Sequence, residues 1–396
     1  MKLAVQFGAG NIGRGFIAHL LWESGFTTVL VESQAELVKK LQEQGKYPLR
    51  LLSKTGQEMT VVVDRYLALA TTEEDEIASQ IAQAGIVFTA VGVKNLAFIA
   101  PHLARGIEKR KKEGGDFLNV LLCENRKDAP LFLKEEVKRY LPASDLPFLE
   151  EKIGFVGTVV ARMVPQMGDR FGGDDPLLLV AEDYHRLPYD ALAVKGSIPS
   201  ISGLLPVKNF PAEMERKLFI HNLGHAVCAY LGYLKGYSYI HQSVADPEVE
   251  NGLIGSWEEV SRALLHKYPD LDPEEQETMV KDLKERFANP LLMDTVQRVA
   301  RDPLRKLGPE DRLIGGARLC LSQGIFPERI AEACGAALCY DWPEDTEAVA
   351  LQKMIAQAGV EKVLKEVSGV EPSEQLAKKI VAYYTTYRSA REKKNT

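Results

Sequence analysis

Short apolar runs alternate with helically spaced stretches through the first half of the chain. "LAVQF" (3–7) and "TTVLVE" (27–32) predict strands on either side of a helix over about 12–24. "PLRLL" and "MTVVV" flank "SKTGQE" as a hairpin, and "IVFTAV" (86–91) and "FLNVLLCEN" (117–125) predict two further buried strands. The long helix between those two closes on "EKRKKEGG", where cations meet the negative end of the helix dipole and Gly114 serves as the cap. Strands alternating with helices imply a parallel, doubly wound sheet.

Residues 186–211, "RLPYDALAVKGSIPSISGLLPVKNFP", are rich in Pro, Gly and Ser and read as a connection. Beyond them strand patterns nearly vanish. Helical spacing, starts at Asn289-Pro290 and Asp302-Pro303, and glycine stops continue to the end. The expected fold is therefore an α/β N-terminal domain over 1–195 with a mostly parallel sheet and an all-α C-terminal domain over 196–396, with a cleft between them.

Composition narrows the function classes. A net charge of −6 argues against a general nucleic-acid binder, which needs a basic field. No apolar run approaches the ~18 residues of a membrane span, and the N-terminal apolar run is too short for a signal peptide. Cys123, Cys228, Cys320, Cys334 and Cys339 are odd in number and form no CxxC, which predicts reduced thiols and a cytoplasmic location.

"FGAGNIGRGF" (7–16) supplies Gly8, Gly10 and Gly13 in G-x-G-x-x-G spacing, directly after a strand and opening a helix. Gly8 suits the tight turn, Gly10 the approach of a pyrophosphate, and Gly13 close packing of helix on strand. The N–H groups of Phe7, Ala9, Asn11 and Ile12 belong to the same loop, and a helix N-terminus facing the phosphates favours negative charge. Arg14 either adds a cation there or faces solvent. Glu32 ends the next strand, where a carboxylate accepts ribose hydroxyls and repels a 2′-phosphate, so NAD is favoured over NADP. Val91, in "VGVKN", ends another strand and is expected against the cofactor. A Rossmann-like NAD-binding domain follows from these features together.

The segment "RKLFIHNLGHAVCAYLG" (216–232) raises the question of chemistry. At about 100° per residue from Lys217, His221 falls near 40°, His225 near 80° and Asn222 near 140°. Phe219, Leu223, Val227 and Tyr230 fall between roughly 200° and 280°, so one face buries and another carries an amine, imidazoles and an amide. Oxidising an alcohol with NAD needs a base and donors for the developing oxyanion. A lysine lowered toward pKa ~7–8 by burial suits the first role. Amides at Asn125 and Asn222 suit the second, with no metal required. His225 is placed to bond substrate or orient Asn222, and Gly224 removes bulk on the same face. His221 and His225 at i, i+4 are an alternative metal pair, but no H-E-x-x-H or third ligand accompanies them.

With "FGAGNIGRGF", "CEN", the K-x-x-x-x-N-x-x-H of Lys217, Asn222 and His225, "RFANP" and "DPLRKLGPEDRLIG", the chain resembles the polyol-specific long-chain dehydrogenase/reductase family over nearly its whole length. The resemblance implies Lys217 as general base, Asn125 and Asn222 as oxyanion holders, a metal-independent reaction and two domains. It also implies oxidation of D-mannitol 1-phosphate to D-fructose 6-phosphate with NAD. Hexuronate reduction (tagaturonate or fructuronate) and oxidation of another polyol phosphate are the alternatives inside the family. A non-catalytic NADH-sensing module is the alternative outside it. Two stretches depart from the family pattern: "VARMVP" has Ala161 where an acid is expected, and "AEDYHRLPYD" lacks a tryptophan.

A sugar phosphate needs cations. Arg298, Arg301, Arg305, Lys306 and Arg312 lie within fifteen residues of an otherwise acidic chain and are expected to hold the substrate phosphate, with Arg162 and Lys94 as the fallback.

Overall fold

The computed structural model describes residues 2–165 and 175–394. The chain divides into compact units at residues 1–213 and 214–396. Strands β1 (Leu3–Phe7), β2 (Thr27–Glu32), β3 (Tyr47–Leu52), β4 (Glu58–Val63), β5 (Tyr66–Ala70), β6 (Ile86–Thr89), β7 (Leu118–Leu122), β8 (Ile153–Gly157), β9 (Leu179–Glu182), β10 (Leu187–Asp190) and β11 (Leu204–Val207) all belong to the first unit. So do helices α1 (Ala18–Glu23), α2 (Ala35–Gln44), α3 (Glu74–Gln83), α4 (Leu96–Lys112), α5 (Ala129–Lys138) and α6 (Leu146–Lys152).

Six strands form a parallel sheet in the order β5-β2-β1-β6-β7-β8. The order reverses between β1 and β6, so the loops leaving these two strands flank the switch point where ligands of such sheets bind. Alternation along each strand feeds both faces. Val5, Phe7, Val29, Val31, Val87 and Val120 pack with Ile81, Leu103 and Leu133 from α3, α4 and α5, whereas Ala4, Ile86, Phe88 and Leu121 pack with Leu20 and Leu21 of α1. Burial on both sides explains why these strands read as continuous apolar runs.

The expected hairpin is present as β3 and β4, and β9 extends it in parallel into a three-stranded sheet. Strands β5 and β8 were not foreseen. The stretch read as a connection holds a small parallel pair, β10 with β11.

Among its described residues the second unit is helical apart from its loops and one isolated bridge, Tyr239 with Thr295. The expected all-α region began at 196, but β11 and the contacts place 196–213 in the first unit. After α7 (Phe210–Arg216), across the boundary, come α8 (Leu223–Lys235), α9 (Ile240–Ala245), α10 (Pro247–Lys267), α11 (Pro273–Phe287), α12 (Val296–Ala300), α13 (Pro303–Lys306) and α14 (Arg312–Ser322). They are followed by α15 (Glu328–Leu338), α16 (Thr346–Ala358), α17 (Val360–Ser368) and α18 (Gln375–Lys394). Helix α8 is buried on every side from Leu223 to Gly232 and forms the centre of this unit. Among the described residues no helix is long and apolar enough to cross a membrane.

The basic end of α4 does what its sequence implies, with Gly114 in the left-handed region at φ 73°. One of its cations does more. Arg110 is buried and donates to the carbonyls of Ala82, Ala84, Asp116 and Phe117, joining the turns that lead into β6 and β7. Arg110→Met is expected to leave these carbonyls without their donor and to lower stability by about 2–4 kcal/mol. A shift of the urea midpoint measures it, and a loss below about 0.5 kcal/mol would show that water serves them instead.

Candidate active site

The glycine loop is shaped by its own backbone at two positions and left open at the third. A Cβ on Gly8, where φ is +87°, would lie 2.5 Å from the Ala90 carbonyl oxygen, and one on Gly13 would lie 1.9 Å from that of Gly8. A Cβ on Gly10 would meet nothing within 4 Å. Packing demands Gly8 and Gly13, while Gly10 keeps an open cradle that fits a pyrophosphate. The chain then enters a π-helical turn at Gly13–Ile17 ahead of α1. Phe7 and Ala9 are fully buried, and Asn11 reaches the carbonyl of Pro165 at 3.3 Å.

Glu32 ends β2 beside the glycine loop. Its Oε2 accepts the Ala9 N–H at 2.8 Å, and its Oε1 accepts from Ser33 N, Ser33 Oγ and Gln34 N. Burial alone would raise its pKa, but these hydrogen bonds outweigh burial and hold it below the ordinary value. The carboxylate is thus ionised and ties β2 to the glycine loop. Arg14 does not face solvent. It is buried, with Nε on the Ala9 carbonyl at 2.6 Å and Nη1 on the Leu177 carbonyl at 3.0 Å, so it braces the loop from behind.

The Val91 loop is fixed by a residue that the sequence reading passed over. Buried Glu124 accepts the Val91 N–H at 3.0 Å and the Thr89 hydroxyl at 2.6 Å. Asn125 follows it, exposed and beyond the end of β7. Helix α5 begins with Asp128 in the cap position, so Asn125 is not a helix cap.

In the second unit the functional segment is not a plain α-helix. Lys217–Asn222 form a π-helical turn between α7 and α8. On an α-helix Lys217 and Asn222 would stand about 140° apart. A turn closed by i→i+5 hydrogen bonds brings residues five apart toward alignment, and such widened turns recur at functional sites. The wheel angles derived for an α-helix are corrected accordingly, and the amine and amide share one face. The indole of Trp257, from α10, donates to the Ile220 carbonyl inside this turn at 2.8 Å. It also explains Gly224, where a Cβ would lie 2.4 Å from the indole nitrogen. The bulk removed there makes room for Trp257.

Burial brings the Lys217 amine down to about 7, assisted by Arg312 and Arg305 and opposed by Asp311. An amine so placed is largely neutral just above neutral pH. His225 is buried, stacked on Phe287 at 4.5 Å between centroids, with Nε2 2.9 Å from Asp294 Oδ2 but off the hydrogen-bond line. Burial lowers its pKa more than Asp294 raises it, so it is neutral. Neither Asp294 nor Trp257 carries a local sequence signal, since both reach the site from other helices.

The five cations sort themselves by their partners. The Arg298 fork is closed on Asp294 at 2.6 and 2.7 Å. Arg305 spans Asp302 and Asp311 at 3.4 and 3.2 Å, Arg312 holds Asp311 at 2.7 Å, and Arg301 lies 3.7 Å from Asp302. Lys306 differs. It is 3% exposed, and among the described residues no carboxylate forms an ion pair with it. Burial, with Arg312 and Arg305, brings it to about 7. Shared neighbours Arg305, Asp311 and Arg312 place it in the same electrostatic environment as Lys217. The fallback Arg162 is buried on the carbonyls of Tyr184 and Gly15, and Lys94 is exposed on a short turn.

Metal chemistry has one geometric candidate among the described residues, His19, Glu23 and His185, in the first unit. Arg162 Nη1, which can only donate, lies 3.2 Å from His19 Nδ1, so Nδ1 accepts and Nε2 carries the proton. That proton occupies the position a metal would need.

The mannitol dehydrogenase Rossmann domain model matches residues 2–203, and the mannitol dehydrogenase C-terminal domain model matches residues 209–388. A mannitol-1-phosphate 5-dehydrogenase of Bacillus licheniformis is 37% identical over 96% of this chain and 99% of its own length. One from Caldanaerobacter subterraneus is 36% identical over 97% and 98%. Among solved structures, a substrate-free D-sorbitol dehydrogenase aligns with TM-score 0.79 at 18% identity, covering 97% of this chain and 93% of that one. Pseudomonas fluorescens mannitol 2-dehydrogenase, in a ternary complex with NAD and D-mannitol, aligns with TM-score 0.76 at 17% identity over 98% and 92%. These two share the fold. The chain belongs to the mannitol dehydrogenase family and is an NAD-dependent oxidoreductase.

Proposed function

We propose that this chain interconverts D-mannitol 1-phosphate and D-fructose 6-phosphate with NAD and without a metal. The observation that carries the reading is a lysine brought to about 7, on a π-helical turn that turns Asn222 toward the same face, in the electrostatic neighbourhood of buried Lys306. The name shared by the full-length relatives supports the phosphorylated substrate.

Bound NAD supplies the two-electron acceptor. Gly8, Gly10 and Gly13 shape its cradle, and Glu32 faces the ribose side of the loop. The neutral Lys217 amine takes the hydroxyl proton of the substrate, and in the reverse direction its ammonium returns it. The amides of Asn222 and Asn125 donate to the oxygen as negative charge develops there. His225, neutral, accepts a hydrogen bond from a substrate hydroxyl or the Asn222 amide. Lys306 meets the phosphate, whose dianion favours the protonated amine, and Arg312 and Arg305 are the cations that act on it.

The primary assay is NADH oxidation with fructose 6-phosphate, run beside tagaturonate and fructuronate. Turnover of a uronate in preference to the sugar phosphate would replace this reading by the hexuronate one. Lys217→Met is expected to lower kcat by roughly 10³-fold or more while leaving NADH binding intact. A variant keeping a tenth of wild-type kcat would remove Lys217 from the base role. Because the ammonium cannot accept a proton, kcat/KM for alcohol oxidation should rise with pH through about 7 and then level.

Lys306→Ala should reduce kcat/KM for mannitol 1-phosphate by roughly 10²-fold and leave free mannitol nearly untouched. Equal losses on both substrates would assign Lys306 to structure. Glu32→Ser should raise KM for NAD and narrow the preference over NADP, with an unchanged ratio pointing to another ribose contact.

A further inference from the structure

The Asp294 carboxylate joins two helices of the second unit at a single imidazole. It lies in the segment before α12, is 8% exposed, and receives the Arg298 fork on both oxygens. The same Oδ2 lies 2.9 Å from His225 Nε2. A carboxylate held ionised by a bidentate guanidinium cannot tolerate an imidazole lone pair at that distance, so Nε2 carries the proton. Phe287 fixes the ring plane by stacking at 17°. With tautomer and plane both set, Nδ1 is the acceptor of the ring, and the charged groups acting on it are Asp294, Arg298 and Arg312.

We propose that Asp294 is a positioning residue for the reaction, acting through His225 by holding the imidazole in the Nε2–H form so that Nδ1 accepts a hydrogen bond in the site. This rests on the catalytic reading of His225 given above. Arg298 serves the same end, since its fork orients the carboxylate that orients the ring. The arrangement is that of an acid–imidazole pair in which the acid itself takes no proton.

The test is a double-mutant cycle with tautomer spectroscopy. Kinetics with NADH and fructose 6-phosphate are measured for wild type, D294A, H225A and the double variant, and ¹⁵N-labelled histidine NMR reads the His225 tautomer. D294A is expected to lower kcat roughly 10- to 100-fold, the range found when an imidazole loses its orienting partner, with KM for NADH within about twofold. In the H225A background the same substitution should cost less than about twofold more, because the residue through which it acts is gone. Equal losses in both backgrounds would make Asp294 merely structural and overturn the inference. So would an Nδ1–H tautomer in the wild-type protein, a result that needs no variant to fold. Unchanged kcat in H225A is a separate outcome, which would remove His225 from the reaction and the inference with it.

Discussion

The helical unit depends on one widened turn. Closing Lys217–Asn222 with i→i+5 bonds widens the ordinary ladder. The Trp257 indole adds a second donor to the Ile220 carbonyl, which also receives the Leu223 N–H, and Gly224 is the residue that lets the indole come so near. Replace that contact by two ordinary α-helical turns and Lys217 would swing away from Asn222. The widened turn is therefore braced by a tryptophan on another helix.

The same logic of buried polar groups serving backbone runs through the nucleotide-binding unit. Arg14 and Glu32 are both spent on the glycine loop, one behind it and one through Ala9. Glu124 does the same for the loop leaving β6, and Arg110 for the turns entering β6 and β7. Loops and turns at the ends of a parallel sheet have few partners of their own, so charged side chains from adjoining strands and helices hold their shape.

Where two-faced burial gives an unbroken apolar run, as in β1 and β2, the strand was legible from the sequence. Strand β5 was not, because its edge position leaves "YLALA" partly exposed and without a clean period. Strands β9, β10 and β11 are four residues each; β9 depends on β3, far back along the chain, and β10 and β11 on each other across the connection. At the site, the residue types at Lys217, Asn222 and His225 were readable, but their angles were not, since periodicity cannot announce a π-helical turn. The cations of 298–312 looked alike in sequence. Only their carboxylate partners, Asp294, Asp302 and Asp311, distinguish them, and Asp294 declared nothing until His225 stood beside it.

Lys306 has a consequence for the folding equilibrium itself. Its amine has an ordinary value of 10.5 and about 7 when folded, so between those limits the unfolded chain holds a proton that the native chain has released. Unfolding in that window takes up a proton, and the contribution of this residue to stability rises with pH by up to about 1.4 kcal/mol per unit. Below pH 7 the native amine is itself protonated, and the full penalty of burying that charge weighs against the fold. Folding of the second unit thus releases a proton from this buried amine and is firmest on the alkaline side of neutrality as far as this side chain is concerned.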